Sequence, residues 1–343
     1  MDERVNQMGP APVVFRMASA YWASQAIYVA AKLGIADVLG DGSKSNEEIA
    51  GATGANSKSL ARLTRSLVAL DVLAVDDCGR FRLTSIGACL QSGMPGSMRS
   101  IVLTLGEEHY RAWGNLIDSI NFGKPAFDEL YQQPLFDYLA QNCSAARTFN
   151  EAMTDLTSQV ALATVLAYDF SESRVIADIG GGHGVLLDSI LRSNPSAKGI
   201  LFDSRAVIEG ATLRAGNNGI GDRRKSIGGD FFQFVPEGAD VYILKNVLHD
   251  WNDDRAVRIL KNCRRAMGTH AKLLVVEMVL PLLDDPAFGS LLDLNMLVMS
   301  GGQERTKEEY CSLLESSGFR LTQVIPTLAP VSILEATPVW PLV

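Results

Sequence analysis

The stretch Val175-Ile-Ala-Asp-Ile-Gly-Gly-Gly-His-Gly184 carries the strongest fold signal in this chain. Its first five residues, Val175 to Ile179, are typical of a short buried strand, and the glycines that follow require a tight turn. A helix begins at Val185, so its free N–H groups and the positive end of its dipole lie directly behind that turn. Because glycine has no Cβ, a ligand can approach this backbone closely. The pattern predicts an α/β domain with a ligand site at the turn.

The glycine spacing narrows the choice of ligand. A dinucleotide fingerprint needs G-x-G-x-x-G, but counting from Gly180 the third glycine would fall on a valine. The actual spacing, Asp178-x-Gly-x-Gly-x-Gly184, is similar to the first motif of S-adenosylmethionine (SAM)-dependent methyltransferases. A second strand, Gly199 to Phe202, ends in Asp203, whose carboxylate can accept both ribose hydroxyls. Taken alone, the glycines also fit a structural turn in another α/β protein.

Composition and charge restrict the class of protein. The chain has 343 residues, 47% of them hydrophobic, a length that suggests about two globular domains. A net charge of −8 argues against nucleic-acid binding as the main function. The start, Met1-Asp-Glu-Arg4, lacks the apolar run of a signal peptide. The apolar run from Leu273 to Leu283 contains Glu277 and Pro281, so we expect it not to span a bilayer.

The cysteines and histidines give no signal of disulfides or of a metal. The cysteines are odd in number and form no C-x-x-C pair, which indicates reduced thiols in a cytoplasmic protein. They stand at positions 78, 89, 143, 263 and 311. The histidines, at positions 109, 183, 249 and 270, lie far apart without ligand spacing, so we expect no metal site.

The N-terminal part of the chain predicts helices followed by a hairpin. Val13 to Leu39 is helical in pattern and apolar nearly all round, so we expect it to be buried in its own core or against a partner chain. Asn46 is expected to cap a helix through Ala52, and Ser57 a second helix to about Leu70. Strands at Val72 to Val75 and Phe81 to Leu83 complete a winged-helix arrangement.

Two functions compete for this winged helix. Lys58, Arg62 and Arg65 on its second helix would suit a DNA reader. Three basic residues are also ordinary for an exposed helix face, and Asp71, Asp76 and Asp77 weaken the positive charge nearby. A structural module is therefore favoured.

The chain from about Ile101 to Tyr168 is predicted to be mostly helical. Met153 and the aromatic residues of this segment are candidates for a substrate pocket, although core packing explains each of them as well. His109 is expected to be a structural histidine.

Beyond Asp203 the pattern alternates strand and helix. Asp230-Phe231-Phe232 follows a strand and suits adenine, since the carboxylate can accept the exocyclic amine while a ring covers the base. A capping role for Asp230 is the alternative. The next strand, Asp240 to Leu244, leads into Lys245-Asn-Val-Leu-His-Asp-Trp251, and Asn252 is expected to cap the helix after it.

His249 lies just past a strand's carboxyl end, where open α/β sheets bind ligands. We expect its neutral imidazole to take a proton at physiological pH. Glu277 ends the next strand at the same edge, and Glu304 lies in a loop that precedes a helix. Two carboxylates and a histidine converging there would form a general base with its orienting acids. Each acid alone also fits an ordinary solvated position.

The whole chain resembles the plant-type small-molecule O-methyltransferases, including bacterial relatives that act on phenazines and aromatic polyketides. The resemblance covers essentially the whole chain. It rests on Asp178-x-Gly-x-Gly-x-Gly184, Gly229-Asp-Phe-Phe232, Leu244-Lys-x-x-Leu-His-Asp-Trp251, Glu277 with Pro281, and Gly301-Gly-x-Glu-Arg-Thr306. One departure is Asp203-Ser-Arg-Ala-Val207, where the family often has Asp-Leu-Pro-x-Val, so the role of Arg205 stays open.

The resemblance implies a fold and a domain order. It implies a mainly helical winged-helix dimerisation domain at residues 1–100 and a helical connector to the substrate pocket at 101–168. A Rossmann-like class I methyltransferase domain of the α/β class would then occupy 169–343. Members are usually homodimers.

The resemblance also implies roles for single residues. His249 would be the general base, flanked by Glu277 and Glu304. The cofactor-binding residues would be Asp178, Gly180, Gly182, Asp203, Asp230, Phe231, Lys245 and Trp251. Candidate acceptor contacts are Met153, Met296 and Met299, although methionines do not encode a pocket shape.

The sequence thus predicts a homodimeric, cytoplasmic, SAM-dependent O-methyltransferase. It would methylate a hydroxylated aromatic secondary metabolite, release S-adenosyl-L-homocysteine and use no metal, nucleic acid or membrane. Two alternatives remain. One is a relative that keeps SAM but performs hydroxylation or decarboxylation, and the other is a ligand-sensing DNA-binding regulator.

Overall fold

The computed structural model describes residues 9–214, 220–282 and 284–339. The chain divides into two compact units, Met1–Tyr110 and Arg111–Val343. The predictions about Met1 to Arg4 and Leu283 fall outside the described residues. The predicted three-part division at residues 100 and 168 is finer than these two units and stays a prediction.

The first unit is mainly helical and carries one antiparallel hairpin, as expected for a winged helix. Its elements are α1 (Pro10–Ser19), α2 (Tyr21–Lys32), α3 (Ile35–Leu39), α4 (Asn46–Thr53), α5 (Ser57–Ala69), β1 (Leu73–Val75), β2 (Phe81–Leu83), α6 (Ser85–Ala88) and α7 (Arg99–Thr104). A π-helical turn, Leu105–His109, follows α7.

Both predicted caps of the winged helix are displaced by one residue. Ser45 caps α4 in place of Asn46, because it forms a reciprocal capping box with Glu48. Asn56 caps α5 in place of Ser57 and accepts the Ser59 N–H at 3.0 Å. At each site two good cap formers are adjacent, and the one with extended backbone takes the position.

The apolar N-terminal segment forms three helices. Gly34, in a left-handed conformation with φ 67°, separates the last two. α1 buries none of its residues in the single chain. Phe15 is 63% exposed and Trp22 57% exposed. Of the two predicted locations for this segment, a core of its own is therefore wrong for α1.

The second unit begins with helices and continues as an α/β domain. Its helices are α8 (Tyr110–Trp113, which begins at the last residue of the first unit), α9 (Leu116–Phe122), α10 (Ala126–Tyr131), α11 (Leu135–Gln141), α12 (Cys143–Ala167), α13 (Val185–Ser193), α14 (Arg205–Arg214), α15 (Asp253–Ala266), α16 (Pro286–Met299) and α17 (Lys307–Ser316). Its strands are β3 (Val175–Ile179), β4 (Lys198–Asp203), β5 (Arg224–Gly228), β6 (Val241–Lys245), β7 (Lys272–Glu277), β8 (Val279–Leu280), β9 (Arg305–Thr306), β10 (Phe319–Pro326) and β11 (Ser332–Pro338).

The main sheet of the described residues has the order β10-β11-β7-β6-β3-β4-β5. The five strands from β7 to β5 are parallel, and β11 and β10 add an antiparallel edge. β3 pairs with both β4 and β6, so the strand order reverses between β3 and β6. In open α/β sheets ligands bind outside the carboxyl ends of the strands at such a point.

Apolar residues cover both faces of this sheet, which explains why its central strands are almost wholly buried. β3, β6 and β7 therefore form a rigid platform, and the polar side chains at their carboxyl ends are held in defined positions. In the described part of the chain, no helix is both long enough and apolar enough to cross a membrane.

Candidate active site

The glycine turn after β3 has the geometry that its sequence predicts. Gly180 and Gly182 have φ values of 70° and 59°, which an L side chain rarely adopts. A Cβ on Gly180 would lie 2.8 Å from a Val247 methyl group, whereas one on Gly182 would face open space. The turn therefore needs glycine and leaves room above Gly182 for a ligand.

Asp178 is the most unusual acid of the turn. It is 1% exposed, and neither of its carboxylate oxygens has a hydrogen-bond partner among the described residues. Burial raises its pKa to about 7. A buried carboxylate without partners beside an open glycine turn fits a ligand that brings hydrogen-bond donors, as the ammonium group of SAM would.

Asp203, at the end of β4, is bonded to the same turn. Its carboxylate accepts the Gly182 N–H at 2.9 Å and the Ser204 N–H at 2.7 Å. Burial raises its pKa, and these backbone bonds oppose the shift. The acid predicted to hold the ribose therefore also fixes the glycine turn, and only its remaining lone pairs are available to a ligand.

Asp230 and Phe231 follow β5. Asp230 is exposed and accepts the Phe232 N–H at 2.8 Å, so the capping interaction proposed as an alternative is present. Its second oxygen remains for an adenine amine. The half-buried Phe231 ring lies 6.2 Å from that of Trp251, which in turn lies 5.2 Å from the Phe136 ring. Aromatic surface suited to a nucleoside is therefore present here.

Lys245, at the end of β6, donates a hydrogen bond of 2.9 Å to the Thr157 hydroxyl on α12. Burial lowers the pKa of this lysine, while the charges of Asp178 and Glu277 oppose the shift. One turn earlier on α12, the Thr154 hydroxyl lies 2.7 Å from Nδ1 of His183 in the glycine motif. The place of these two threonines in the site could not be predicted, because a helical pattern does not reveal which polar groups contact a distant loop.

His249 lies in a 3₁₀ turn, Leu248–Asp250, just after β6. Its Nδ1 lies 2.7 Å from Glu304 Oε1 and 3.6 Å from Glu277 Oε2. Glu277 and Glu304 are 0% and 4% exposed, so neither is the ordinary solvated acid that sequence also allowed. With Nδ1 donating to Glu304, Nε2 is left to accept a proton.

Glu277 also fixes the backbone of the turn, and Glu304 is itself held by a third acid. Oε1 of Glu277 accepts the N–H groups of Val247 and Leu248 at 2.8 and 2.9 Å. The carboxylate of Asp293 on α16 accepts the Glu304 N–H at 2.9 Å. The orienting acids are thus bonded in place themselves.

The ionisation of this group differs from the prediction. Burial lowers the pKa of His249, but the negative charges of Glu277, Glu304 and Asp250 outweigh it and raise the pKa to about 10. Burial also raises the pKa of Glu277 to about 7. The expectation of a neutral imidazole at physiological pH is therefore wrong for the chain without cofactor. The reason is that both flanking acids are buried and that Asp250 adds a third negative charge, 3.8 Å from Nε2.

These three residues offer a histidine nitrogen and two carboxylate oxygens that all lie within 4.8 Å of one another. Such a set can also hold a divalent cation. The spacing of the histidines in the sequence could not predict this possible metal site, because its other two ligands would be carboxylates. The prediction of a metal-free site stays a prediction.

The three candidate methionines occupy different surroundings. Met153 is half-buried on α12. Met296 is 8% exposed and Met299 1% exposed on α16, and Met299 packs with Phe127 in a helical core. Core packing explains Met299 fully, and contact of the three with an acceptor stays a prediction.

Comparison with known proteins connects this geometry to a reaction. An O-methyltransferase domain model matches residues 113–320, more than half of the chain, and an O-methyltransferase dimerisation domain model matches residues 15–93. The second match contains the winged helix, and the comparisons give no support to the DNA-binding alternative or to hydroxylation or decarboxylation.

Individual relatives are similar over nearly their whole length. The phenazine O-methyltransferase PhzM of Lysobacter antibioticus is 47% identical, over 97% of this chain and 99% of that protein. The phenazine-1-carboxylate N-methyltransferase of Pseudomonas aeruginosa is 31% identical, over 89% of this chain and 90% of that protein.

Solved structures agree with this fold. The crystal structure of LaPhzM has a TM-score of 0.94 and 47% identity, covering 97% of this chain and 100% of that one. The O-methyltransferase NcsB1 from neocarzinostatin biosynthesis, solved with SAM and 2-hydroxy-5-methyl naphthoic acid, has a TM-score of 0.81 and 31% identity. The match covers 92% of this chain and 96% of NcsB1.

Proposed function

We infer the chemical class of the acceptor from the geometry of the site. The chain belongs to the O-methyltransferase family and is a methyltransferase that uses SAM. We propose that it methylates a hydroxyl group of an aromatic secondary metabolite, phenazine-like or polyketide-like, and releases S-adenosyl-L-homocysteine. The observation that carries this proposal is the 2.7 Å bond between His249 and the buried Glu304, with Glu277 behind it.

A phenol explains why such a base is present. SAM supplies a methyl group that is already activated on a sulfonium, so the protein has to position a nucleophile and remove its proton. A phenol has a pKa of about 10. Glu277 and Glu304 raise the pKa of His249, so its neutral ring takes up a phenol's proton more readily than an ordinary histidine does. The positive charge of bound SAM would favour that neutral form of the ring.

The same argument favours oxygen over nitrogen, although the relatives include methyltransferases of both kinds. A tertiary ring nitrogen carries a free lone pair and attacks without losing a proton. A hydroxyl is a poor nucleophile until it is deprotonated. Two buried acids that strengthen one histidine are therefore useful to an O-methyltransferase.

The cofactor contacts are proposed from the same edge of the sheet. Asp178 and Lys245 would meet the amino-acid end of SAM above the glycine turn. Asp203 is assigned to the ribose, and Asp230 with Phe231 to the adenine. Trp251 would pack beside the cofactor through the aromatic cluster at this edge.

We also propose that the protein is a homodimer located in the cytoplasm. The dimerisation-domain match begins within α1 and includes all of α2, and these helices expose Phe15, Met17 and Trp22. Large apolar side chains clustered on a surface mark an interface. The cytoplasmic location is supported by the free cysteines, of which Cys263 is buried.

Replacing His249 by alanine tests the proposed base. His249→Ala should lower the single-turnover methyl-transfer rate on a monohydroxyphenazine by roughly 10²–10⁴-fold at neutral pH, with SAM affinity nearly unchanged. The deficit should shrink towards pH 10, because a phenolate formed in solution no longer needs a base. The exposed His270 provides a matched control, since His270→Ala should behave like the wild type.

The measurement is rapid-quench transfer from pH 6 to 10 with SAM saturating. A small difference that does not vary with pH would refute His249 as the base. Product analysis by mass and NMR then distinguishes an O-methyl from an N-methyl group, and an N-methyl product alone would reject the proposed acceptor atom.

A further inference from the structure

Arg305 is a buried charged residue. Neither the proposed base nor the proposed cofactor contacts explain its role. It is 0% exposed, and it has the largest of the fully buried side chains among the described residues. A guanidinium cannot give up its charge, so it is buried only where it has partners. Its partners therefore indicate what it does.

Those partners are the main-chain carbonyls around His249. One terminal nitrogen of Arg305 donates to the Leu248 carbonyl at 3.1 Å, and the other donates to the Trp251 carbonyl at 2.9 Å. The second nitrogen also contacts a carboxylate oxygen of Asp253 at 2.8 Å. A single rigid side chain thus holds the turn on both sides of the histidine.

Residues next to Arg305 hold His249 itself. The Gln303 N–H donates to the His249 carbonyl at 2.9 Å, while the Glu304 carboxylate meets the ring at 2.7 Å. A Cβ on Gly302 would lie 1.9 Å from the His249 carbonyl oxygen, so only glycine permits this approach. The loop therefore contacts the histidine through its backbone and its ring together.

Glu277 acts on the opposite groups of the same turn. It accepts the N–H groups of Val247 and Leu248, whereas Arg305 binds the carbonyls of Leu248 and Trp251. Two donors at the start of the turn thus face a carboxylate, and two acceptors on either side of His249 face a cation. Such bonds to charged groups are stronger than neutral ones and keep the turn in one conformation.

We propose that Arg305 is a positioning residue for the reaction, which fixes the Leu248–Asp250 turn so that His249 meets Glu304 and presents Nε2 in one place. This rests on the proposed role of His249 as base. Lysine cannot substitute, because one ammonium lacks the planar fork that reaches two carbonyls and a carboxylate at once.

The test compares Arg305→Lys with Arg264→Lys in the full chain. Arg264 also binds two main-chain carbonyls, those of Gly318 and Val339, but at another part of the fold. The first readout is the titration of His249 by NMR with labelled histidine, which needs neither cofactor nor acceptor. The groups that face His249 are Glu277, Glu304 and Asp250.

In Arg305→Lys the turn relaxes and the Glu304 carboxylate loses its fixed distance from Nδ1. The pKa of His249 should fall towards the ordinary value of about 6.5. Turnover of a monohydroxyphenazine should fall roughly 10–10²-fold, with the Kd of SAM changed by less than about twofold. Arg264→Lys should leave the titration and the rate unchanged.

A purely structural arginine would give a different result. Arg305→Lys would then lower the melting temperature while the His249 titration and the rate stayed as in the wild type, and the proposal would be overturned. If the titration moves but the rate does not, the positioning role holds and the assignment of His249 as base fails.

Should Arg305→Lys not fold, Asp253→Asn removes the negative charge from one partner of the guanidinium, at a side chain that is 66% exposed. It should shift the titration in the same direction by a smaller amount. An unchanged titration in Asp253→Asn would count against the proposal.

Discussion

At the scale of single residues, Asp203 joins the glycine turn to the second strand and is proposed to bind the ribose. Asp203→Ala should weaken SAM binding by about 1.5–3 kcal/mol, because it removes charge-assisted bonds to the ligand and releases the Gly182 N–H. Calorimetric titration measures this directly, with the exposed Asp222→Ala as control. Equal affinity in the two variants would remove Asp203 from the cofactor site.

The residues that could be predicted from sequence share one property. Glu277 ends a strand, His249 lies in the turn just after one, and Glu304 lies close to the start of a helix, positions that local patterns locate. Arg305 could not be predicted in the same way, because its partners are mainly main-chain carbonyls, which have no sequence signature. The ionisation of His249 was also missed, since it depends on how deeply the flanking acids are buried and on the charge of Asp250 near Nε2.

At the scale of elements, α12 connects the two halves of the proposed cofactor site. Thr154 contacts the glycine motif through His183, and Thr157 contacts Lys245 at the end of β6. The sequence predicted a mostly helical segment here, and the helix runs from Cys143 to Ala167. Contacts that join residues 88 positions apart lie beyond any local pattern.

Removing one hydroxyl from α12 tests this connection. Thr157→Val should weaken SAM binding about fivefold, the effect of losing a hydrogen bond worth about 1 kcal/mol to Lys245. Thr148→Val is the matched control, because Thr148 makes the same kind of bond to a carbonyl one turn back. Equal affinities by calorimetry would show that Lys245 does not depend on α12.

At the scale of the whole molecule, the exposed apolar residues of α1 and α2 predict self-association. The wild type should run in light scattering at twice its monomer mass of 37.1 kDa. Trp22→Asp should lower that mass, because it places a charge in the interface. The 89% exposed Leu328 is a suitable control site in the other unit. A wild type that stays monomeric at micromolar concentration would contradict the dimer.

The buried acids and His249 predict a pH dependence of stability. The pKa values of Asp178, Glu277 and His249 are all raised by folding, so each group stabilises the protein below its unfolded pKa and loses this contribution as pH rises through the folded value. Without cofactor, the free energy of unfolding should fall on the order of 6 kcal/mol from pH 6 to pH 9, about half of it through His249.

Urea unfolding at several pH values measures this fall. Asp178→Asn should flatten part of it, because the amide cannot ionise. A stability that rises over the same interval would contradict the assigned directions of the three pKa shifts.

The 3₁₀ turn of His249 is held by β7 and by residues 303–305, whereas Met153, a candidate acceptor contact, lies on α12. Evolution can therefore change the residues that contact the acceptor without changing the residues that hold His249. Divergent descendants would keep the turn and its supports unchanged while their acceptors drift. Laboratory evolution of new acceptors should accordingly collect its beneficial substitutions at positions such as Met153 and Met296, and spare Thr157, Gly302 and Arg305.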